Sequence, residues 1–508
     1  MLISPRFVKA CLVSAALSVV GVSGNLCAQE NSVNLTLKQA VRMAVEKNLD
    51  LKAELYNPAA AEADIRKSKG MYDPLLNLLL HYQDSKTQPA SVYASGTPVN
   101  HQRVFDYNAG ITQLIPSGGT VGLSFNNTWY RNNSDPNRFL NDYFSSDLSL
   151  YFTQPLLKSF GSETTELNIR VAKFGKEGAL EHYREKLTDI VAKVRNQYFL
   201  LFSLREYLEV SKASLVLAER ILGDTQAQVK AGVLPAMEIL NSEFGVATMQ
   251  KSLIDAEKAV KDQVDSLRSL LQLPADAEIV PADTPWHEQY VVDEDAAIRK
   301  ALVERPELKQ LRIALKTGEL QSRAARNQTL PDLSLVLNTS LTGLGTEYNR
   351  ALDKVGSGKY PVWGGGLQLT YPLGNRTAQN EYVRSKLRVE QTSAQIRSME
   401  DSVANDVRFA VRALQAGYKQ LDVAERGSAY AEERLKAYIK KNKVGLATVK
   451  DVLDVQNDMV SAKGNRIRAI AEYNIAVTAL WKASGELLER EGIVVSEKDG
   501  DALYEKNR

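Results

Sequence analysis

The chain has 508 residues, of which 44% are hydrophobic and 24% charged, and its formal net charge is +2. This composition excludes an intrinsically disordered chain and a polytopic helical membrane protein, and the length allows more than one domain. Because the charges are nearly balanced and interspersed, the sequence argues against nucleic acid as a partner.

The first segment has the three parts of a secretory signal peptide. A basic start is followed by an apolar stretch over residues 10–22, and the small Ala28 closes the segment. A stretch of about 13 apolar residues is too short to span a bilayer. We therefore predict a cleaved signal peptide at 1–28. Cys27 leaves open a lipid-anchored N-terminus, as in bacterial lipoproteins, although the bulky Leu26 is unfavourable for that processing.

The residue types that usually carry chemistry are scarce. Both cysteines, Cys11 and Cys27, lie in the predicted signal peptide, so disulfides, thiolate metal sites and cysteine nucleophiles are excluded from the mature chain. No ligand spacing relates the four histidines, which are His81, His101, His182 and His287. The sequence contains no phosphate loop, dinucleotide turn or nucleophile elbow. We predict no enzyme, no metal site and no cofactor.

The first mature element is predicted to be an amphipathic helix followed by strands. The helix begins at Thr36, is interrupted at Asn57-Pro58 because proline cannot continue a helix, and resumes to about residue 69. The hydrophobic period then switches to two, as in residues 76–82, where leucine or tyrosine alternates with other residues. Strands of about ten residues with one apolar and one polar face suit a membrane barrel. A soluble β-sandwich remains an alternative on this pattern.

A 3.5-residue hydrophobic period then dominates a long stretch. Apolar residues recur every seven positions at Leu187, Val194, Leu201, Leu208, Leu215, Leu222 and Val229. No proline interrupts the stretch, so the pattern predicts one coiled-coil helix. At about 1.5 Å per residue, this helix would be roughly 100 Å long. Val403, Val407, Ala410 and Leu414 begin the same period in a second stretch.

The two stretches belong to two tandem copies of one unit. Residues 40–42 (Ala-Val-Arg) recur as 297–299 (Ala-Ile-Arg), and Val194-Arg195 recurs as Val407-Arg408. Each unit has the order helix, proline, strands, long helix, glycine break and return helix, and such internal repetition is a strong architectural signal.

The predicted boundaries follow from this order. Repeat 1 spans 29–273, with strands at about 75–156, a long helix at about 162–230 and a return helix at about 236–272. Repeat 2 spans 297–488, with strands at about 332–372, a long helix at about 376–441 and a return helix at about 448–487. The proline-rich segment 274–296 is predicted to be an equatorial linker, and 489–508 a polar, mobile tail. Whether the additional strands at about 106–130 join a barrel stays open.

The glycine breaks are the most informative sites. Glycine permits the positive φ that a tight helical hairpin needs. Because each break lies at the end of a rod, we predict that it meets another protein. The candidate docking residues are Gly232, Val233, Leu234, Val444, Gly445 and Leu446. Asp451 and Asp454 follow three residues apart and face the same way. In a tube of several copies they would ring its mouth and attract cations, although two solvated aspartates near a helix N-terminus remain the alternative.

Together these features resemble the outer membrane efflux protein (TolC-like) family. The resemblance covers residues 35–488 and is most specific in the tandem repeat, in the Gln-Pro-Leu-Leu strand end at 154–157 and in the break at 444–454. It implies an α+β fold: an outer-membrane β-barrel continuous with a long periplasmic α-helical barrel, formed by a homotrimer of a Gram-negative bacterium. The implied partners are outer-membrane lipid, a periplasmic adaptor protein and an inner-membrane transporter of RND or ABC type.

The resemblance also implies roles for individual residues. Asp451 and Asp454 match the two acidic residues that form the periplasmic constriction of such channels, and Glu238 matches an acidic residue of the latch that holds the tip closed. The arginine that family members use in this latch is replaced here by Ala447, so the latch must differ. The candidate replacements are Lys443 and Lys450.

A physical argument supports assembly. Two rods and roughly four strands per chain cannot close a tube, and unpaired backbone groups at a sheet edge cost several kcal/mol each in lipid, so other copies must complete the tube. We predict a passive outer-membrane exit duct of a tripartite efflux pump or a type I secretion system. The alternative is a periplasmic coiled-coil structural or adaptor protein. The sequence does not identify the cargo.

Overall fold

The computed structural model describes residues 32–90, 93, 96–133 and 140–507, so the predicted signal peptide and Cys27 lie outside the described residues. The helices are α1 (Leu37–Lys47), α2 (Leu49–Lys69), α3 (Ser162–Thr165), α4 (Leu167–Lys230), α5 (Met237–Leu271), α6 (Glu294–Glu304), α7 (Pro306–Asn327), α8 (Tyr348–Gly356), α9 (Arg376–Lys443), α10 (Val449–Ala483), α11 (Leu487–Arg490) and α12 (Glu497–Asn507). The strands are β1 (Ser32–Leu35), β2 (Leu75–Thr87), β3 (Asn100–Leu114), β4 (Thr120–Asn132), β5 (Asp142–Pro155), β6 (Glu278–Pro281), β7 (Asp332–Gly345) and β8 (Pro361–Thr370).

Six of these strands form one antiparallel sheet in the order β2-β3-β4-β5-β7-β8. β1 and β6 form a separate parallel pair near the middle of the helices. The additional strands that the sequence placed at about 106–130 are β3 and β4, and they lie inside the main sheet. Repeat 1 therefore supplies four of the six strands and repeat 2 supplies two.

The sheet has one apolar face and one polar face. Its register places Ile111 opposite Leu123, Leu123 opposite Leu150, and Phe152 opposite Leu337. These side chains share one face, and Leu123 is 48% exposed. The neighbouring positions on the opposite face are mostly Ser, Thr, Asn, Gln, Gly and Tyr. An exposed apolar face backed by a polar one is the pattern of a wall between lipid and water.

Helix α8 packs on the apolar face close to the ends of β5 and β7. A Cβ atom at Gly343 would lie 2.0 Å from the Ala351 carbonyl oxygen, so only glycine permits this close approach. The Tyr348 ring lies 5.7 Å from the Tyr107 ring and 6.0 Å from the Phe144 ring. α8 thereby covers the rim of the sheet farthest from the long helices.

The long helices α4 and α9 are continuous over 64 and 68 residues. Each reverses through a glycine turn into a return helix of 35 residues, α5 or α10. Leu187, Val194 and Leu201 of the heptad pattern are fully buried around the middle of the molecule. Towards the turn, the buried positions of α4 are small or polar instead, namely Ser211, Ser214, Ala218 and Thr225. The long apolar side chains there are only partly buried in one chain.

The helix break predicted at Asn57-Pro58 is wrong. The helices separate ten residues earlier at Asn48, whose Oδ1 accepts hydrogen bonds from the backbone N–H groups of Asp50 at 3.0 Å and Leu51 at 3.1 Å. Asn48 caps α2, and its extended ψ of 129° ends α1. Pro58 lies inside α2 and is buried. Packing against α4 and α12 therefore outweighs the hydrogen bond that proline forfeits.

The predicted mobile tail is also wrong. Residues 487–507 contain the helices α11 and α12, and α12 packs on α2. Arg66 donates to Glu505 at 2.6 Å and its guanidinium lies 4.5 Å from the centre of the Tyr504 ring. A Cβ atom at Gly500 would lie 3.2 Å from Pro58 Cβ, which shows how closely the two helices meet. The tail is a docked helical segment over repeat 1.

Candidate functional site at the helical tips

The two helical turns have the same backbone geometry. We call residues 231–236 tip 1 and residues 444–448 tip 2. Gly232 and Gly445 have φ values of 74° and 76°. In tip 1 the Val233 N–H donates to the Gln228 carbonyl oxygen at 2.9 Å, and in tip 2 the Leu446 N–H donates to Lys441 at the same distance. Both turns are Schellman motifs, which close a helix through a left-handed glycine.

The return helices begin differently. At tip 2, Thr448 Oγ1 accepts from the Asp451 N–H at 3.1 Å, and Asp451 Oδ2 accepts from the Thr448 N–H at 2.8 Å. This reciprocal pair is a capping box. The hydrogen bonds from the Thr448 backbone and hydroxyl lower the pKa of the Asp451 carboxyl below its usual value. At tip 1, α5 begins without any side-chain cap.

The predicted gate residues thus differ in their environment. Asp451 and Asp454 are both exposed on the first turns of α10, as the spacing implied. Asp451 caps the helix, whereas Asp454 has no Lys or Arg within 4 Å among the described residues. Glu238, on the first turn of α5, accepts from Asn241 Nδ2 at 3.3 Å. One chain does not bring Glu238 and the two aspartates into a shared cluster.

The proposed replacement latch is not formed within one chain. In the described part of the chain neither Lys443 nor Lys450 has a carboxylate within 4 Å. The ion pairs that do join α9 to α10 lie further from the tip. Arg434 bonds to Asp458 at 2.9 Å and Lys463 bonds to Glu432 at 2.5 Å. The Lys463 hydrogen bond lowers the pKa of the Glu432 carboxyl. These two ion pairs could not be predicted from the sequence, because they depend on how the two helices are paired.

Apolar side chains are exposed at both tips. Val233 is 70% and Leu446 76% exposed, while Leu234 is partly buried. Val444 is exposed as well. The structure adds three exposed side chains on α5 that the sequence analysis missed, namely Met237, Leu240 and Phe244. Their spacing of three and four residues places them on one helix face, and this spacing could have identified them.

The two hairpins are joined near the tips by close helix contacts. A Cβ atom at Gly245 of α5 would lie 2.7 Å from a Leu453 methyl carbon of α10, so α5 approaches α10 closely at this position. Further up, Gln456 Nε2 donates to the Ser214 carbonyl oxygen at 2.7 Å in a buried position. Ser242 Oγ donates to Thr225 Oγ1 at 3.2 Å between α5 and α4. The two tips of one chain therefore form one packed unit.

Two classes of feature are absent from the described residues. No group of His, Cys, Asp or Glu side chains in this part of the chain is arranged to hold a metal ion. None of the described helices is both long enough and apolar enough to traverse a membrane.

The sheet has one apolar face suited to lipid and one polar face suited to water, and it is continuous with two long helical hairpins. This combination defines a protein of the outer-membrane channel class. The family model described as "Outer membrane efflux protein" matches residues 40–272 and 297–486. The chain belongs to this family, which confirms the resemblance and the predicted α+β TolC-like fold with two tandem repeats. It is an outer-membrane efflux protein with a periplasmic extension, and members of this family are transport proteins rather than enzymes.

Several characterised proteins are similar along most of their length. The outer membrane efflux protein BepC of Brucella suis biovar 1 is 21% identical over 481 residues, which cover 94% of this chain and 91% of BepC. The outer membrane protein TolC of Escherichia coli strain K12 is 22% identical over 437 residues, which cover 82% and 83% of the two chains.

Solved structures show the same fold at low sequence identity. The outer-membrane channel OprN superposes with a TM-score of 0.66 at 14% identity and covers 89% of this chain and 90% of its own. A CusC structure superposes with a TM-score of 0.65 at 14% identity and covers 91% and 95%. At these identities the likeness shows the fold alone.

Proposed function

We propose that three copies of this chain form a passive exit duct that receives cargo from an inner-membrane transporter of RND or ABC type through a periplasmic adaptor protein. Such a duct serves either a tripartite efflux pump or a type I secretion system. The relative OpmQ of Pseudomonas aeruginosa is named for pyoverdine export, and this name supports the general role without identifying the cargo here.

One observation supports this proposal above the others. A single chain presents a sheet whose end strands, β2 and β8, each have one edge without a partner strand among the described residues. Its apolar face is exposed over much of its area. In a membrane, such edges must be paired, because no water is present to satisfy the backbone groups. Copies arranged around a symmetry axis pair the edges and enclose the polar face as a lumen.

Assembly and conduction can be tested directly. We expect the protein in the outer-membrane fraction, with a band near three times the monomer mass that collapses on boiling. We expect the purified trimer to conduct ions in a planar bilayer. A monomer in the soluble periplasmic fraction would instead support the alternative, a periplasmic coiled-coil adaptor or structural protein, and would overturn the duct.

We further propose that Asp454, together with Asp451 and Glu238, lines the periplasmic gate. Three copies of the exposed Asp454 would surround the mouth of the tube, and a ring of carboxylates attracts cations and repels anions. Asp454→Asn isolates this effect better than Asp451→Asn, because Asp451 also caps α10. We expect Asp454→Asn to lower the cation-to-anion permeability ratio and to weaken block by multivalent cations added at the periplasmic side.

The matched control is Asp422→Asn, on α9 about 30 Å from the tip by the helical rise of about 1.5 Å per residue. Asp422 is half-buried, with 48% of its side chain exposed, and pairs with Arg426 at 2.7 Å. Unchanged ion selectivity in Asp454→Asn, or an equal change in the control, would contradict the assignment of Asp454 to the gate.

We propose that the apolar tips, Gly232, Val233, Leu234, Val444, Gly445 and Leu446, dock the adaptor. Leu446→Asp should remove export in cells while the purified channel still conducts, because the change affects the contact and not the pore. Val494→Asp is the control, since Val494 is equally exposed but lies between α11 and α12. If Leu446→Asp preserved export, the docking surface would lie elsewhere.

A further inference from the structure

The two repeats contribute unequal numbers of strands to the sheet. In repeat 2, β7 begins after Pro331, β8 leads into a long helix, and the two strands pair directly. In repeat 1, the corresponding strands are β2, which follows Pro74, and β5, which leads into α4. They do not pair, because the hairpin β3–β4 lies between them. Relative to repeat 2, β3–β4 is therefore an inserted hairpin.

The hairpin is fully integrated into the hydrogen-bonded sheet. β2 pairs with β3 from Leu75 opposite Thr112 to Thr87 opposite Asn100 without a gap. β4 pairs with β5 over its length from Thr120 to Arg131. The inserted strands are 15 and 13 residues long, as long as their neighbours. A hairpin folded over the sheet as a lid could not form these ladders on both sides.

The side chains of the hairpin follow the same division between faces as the rest of the sheet. On β4, Val121, Leu123 and Phe125 point to the apolar face, and the intervening Ser124 and Asn126 point to the polar face, where Asn126 bonds to Asp147 of β5. Outside the rim that α8 covers, the apolar face continues from β2 to β8, and a hairpin immersed in water would gain nothing from such a face.

We propose that β3 and β4 are additional wall strands of the membrane barrel, so that each copy supplies six strands and three copies close a barrel of eighteen. The closing contact is between β2 of one copy and β8 of the next copy. This inference rests on the trimeric duct proposed above. The strands alternate in direction, and β2 and β8 are first and sixth in order. They therefore run in opposite directions, and the joint between copies is antiparallel like every other pair in the sheet.

The additional strands set the bore of the membrane section. With strands about 4.8 Å apart and tilted by about 40°, eighteen strands give a backbone radius of roughly 18 Å, whereas twelve strands give roughly 12 Å. Three copies of the helices α4, α5, α9 and α10 would form a tube of twelve helices. With helices spaced about 9 Å apart, the radius of this tube is close to the radius of the barrel of eighteen strands. With the inserted hairpin, the membrane section is therefore as wide as the helical tube and admits cargo of the same size. The size of the cargo is then limited at the tips.

A pair of adjacent substitutions tests whether the hairpin lies in the wall. Leu123→Lys places a charge on the lipid face within the stretch 121–125 of β4, where alternate residues are apolar, and Ser124→Lys places the same charge in the lumen. A charge on the lipid face of a barrel strand opposes insertion, whereas one in the lumen does not. We expect Leu123→Lys to reduce the heat-sensitive trimer in the outer membrane by at least about tenfold, and Ser124→Lys to change it by less than about twofold. Equal yields of the two variants would overturn the proposal.

Cysteine labelling gives a second measurement that does not depend on these yields. The described residues contain no cysteine, so single cysteines at 123–126 can be labelled with a membrane-impermeant maleimide. We expect 124 and 126 to react and 123 and 125 to be protected. Uniform reactivity would place the hairpin in water and overturn the proposal. A wild-type chain without trimers would overturn the duct itself, so the two failures are distinguishable.

The bore can then be measured by deletion. Replacing residues 88–141 with an Asn-Gly turn joins β2 to β5 and gives repeat 1 the two strands of repeat 2. We expect the largest neutral polymer that enters the channel from the extracellular side to fall in radius by about a third. An unchanged limit in a conducting deletion variant would show that the hairpin does not set the bore.

Discussion

The two repeats share a backbone plan but differ in what covers them at the equator. Arg195 and Arg408 occupy equivalent positions on α4 and α9. Arg195 is 6% exposed, forms an ion pair with Glu491 and donates from Nε to Thr478 Oγ1 at 3.0 Å. Arg408 is exposed and lies 3.7 Å from Glu294. The arginine is buried in repeat 1 and exposed in repeat 2, because α11 and the following Glu491 pack on α4 at the position of Arg195.

The surroundings of Arg195 explain how a buried cation is tolerated. Its guanidinium lies 4.7 Å from the centre of the Trp481 ring and 5.8 Å from the Phe199 ring. Burial lowers the pKa of Arg195, and the Glu491 carboxylate opposes this shift. The ion pair and the aromatic faces together compensate for lost hydration. Among the described residues, the Arg195–Glu491 pair is therefore one of three charged contacts between the C-terminal segment and repeat 1, the others being Arg66–Glu505 and Lys176–Asp501.

The largest predicted effect concerns this contact. Arg195→Ala leaves Glu491 buried without a cation, and removing one partner of a buried pair costs about 3–5 kcal/mol. We expect the thermal midpoint of the purified protein to fall and the tail to become accessible to protease. The control, Arg408→Ala, should cost at most about 0.5 kcal/mol, as for other exposed residues. Equal shifts in the two variants would show that the repeats do not differ at this position.

The second prediction tests whether the two tips really share one backbone geometry. Gly232→Ala and Gly445→Ala should each destabilise the turn by about 1–2 kcal/mol, because alanine is strained at positive φ. At neither position would an added Cβ have a neighbouring atom within 4 Å. Backbone strain, and not a steric clash, therefore accounts for the expected loss of stability. Hydrogen exchange of the amides around each turn measures it.

Gly427→Ala is the control for both tips. Gly427 lies inside α9 with equally open surroundings. There alanine should stabilise the helix by about 0.5–1 kcal/mol. A loss of protection in this variant, or unchanged protection at either tip, would contradict the argument from positive φ.

The third prediction separates the two tips by their caps. Thr448→Ala removes the cap of α10 and should cost about 1 kcal/mol, whereas Thr448→Ser should keep it. We expect faster hydrogen exchange in the first turn of α10 only in the alanine variant. Exchange in the first turn of α5 should stay constant, because α5 begins without a side-chain cap. If Thr448→Ser behaved like alanine, the capping box would not stabilise this tip.

The comparison also shows which features a sequence can predict. The rods and strands follow from local patterns, since an uninterrupted heptad series and a period-two alternation each bury or expose one face wherever the chain lies. The glycine turns were predictable for the same reason. The Thr448-x-x-Asp451 spacing also predicts that Asp451 caps the helix, although only a role in the gate was inferred for this residue from the sequence.

The errors arose where distant residues decide the outcome. Pro58 signals a helix break locally, but Gly500 and α12 pack against it. The tail has little periodicity, yet Asp501 in the tail accepts a hydrogen bond from Lys176 at 2.5 Å. The two residues are 325 positions apart in the sequence. Whether β3 and β4 belong to the main sheet depends on pairing partners in both repeats, which no local pattern encodes.

The smallest predicted effect is a pH dependence confined to tip 2. The pKa of Asp451 is lower in the folded tip than in an unfolded chain, because the carboxylate accepts hydrogen bonds from Thr448. Its stabilisation is therefore complete above the ordinary aspartate pKa of about 3.9 and is lost as the pH falls through the lower folded value. Below about pH 4, hydrogen exchange corrected for intrinsic rates should accelerate in the first turn of α10 before that of α5. Asp451→Asn should abolish this difference. Equal acid sensitivity of both tips in the wild type would mean that the Asp451 cap does not distinguish them.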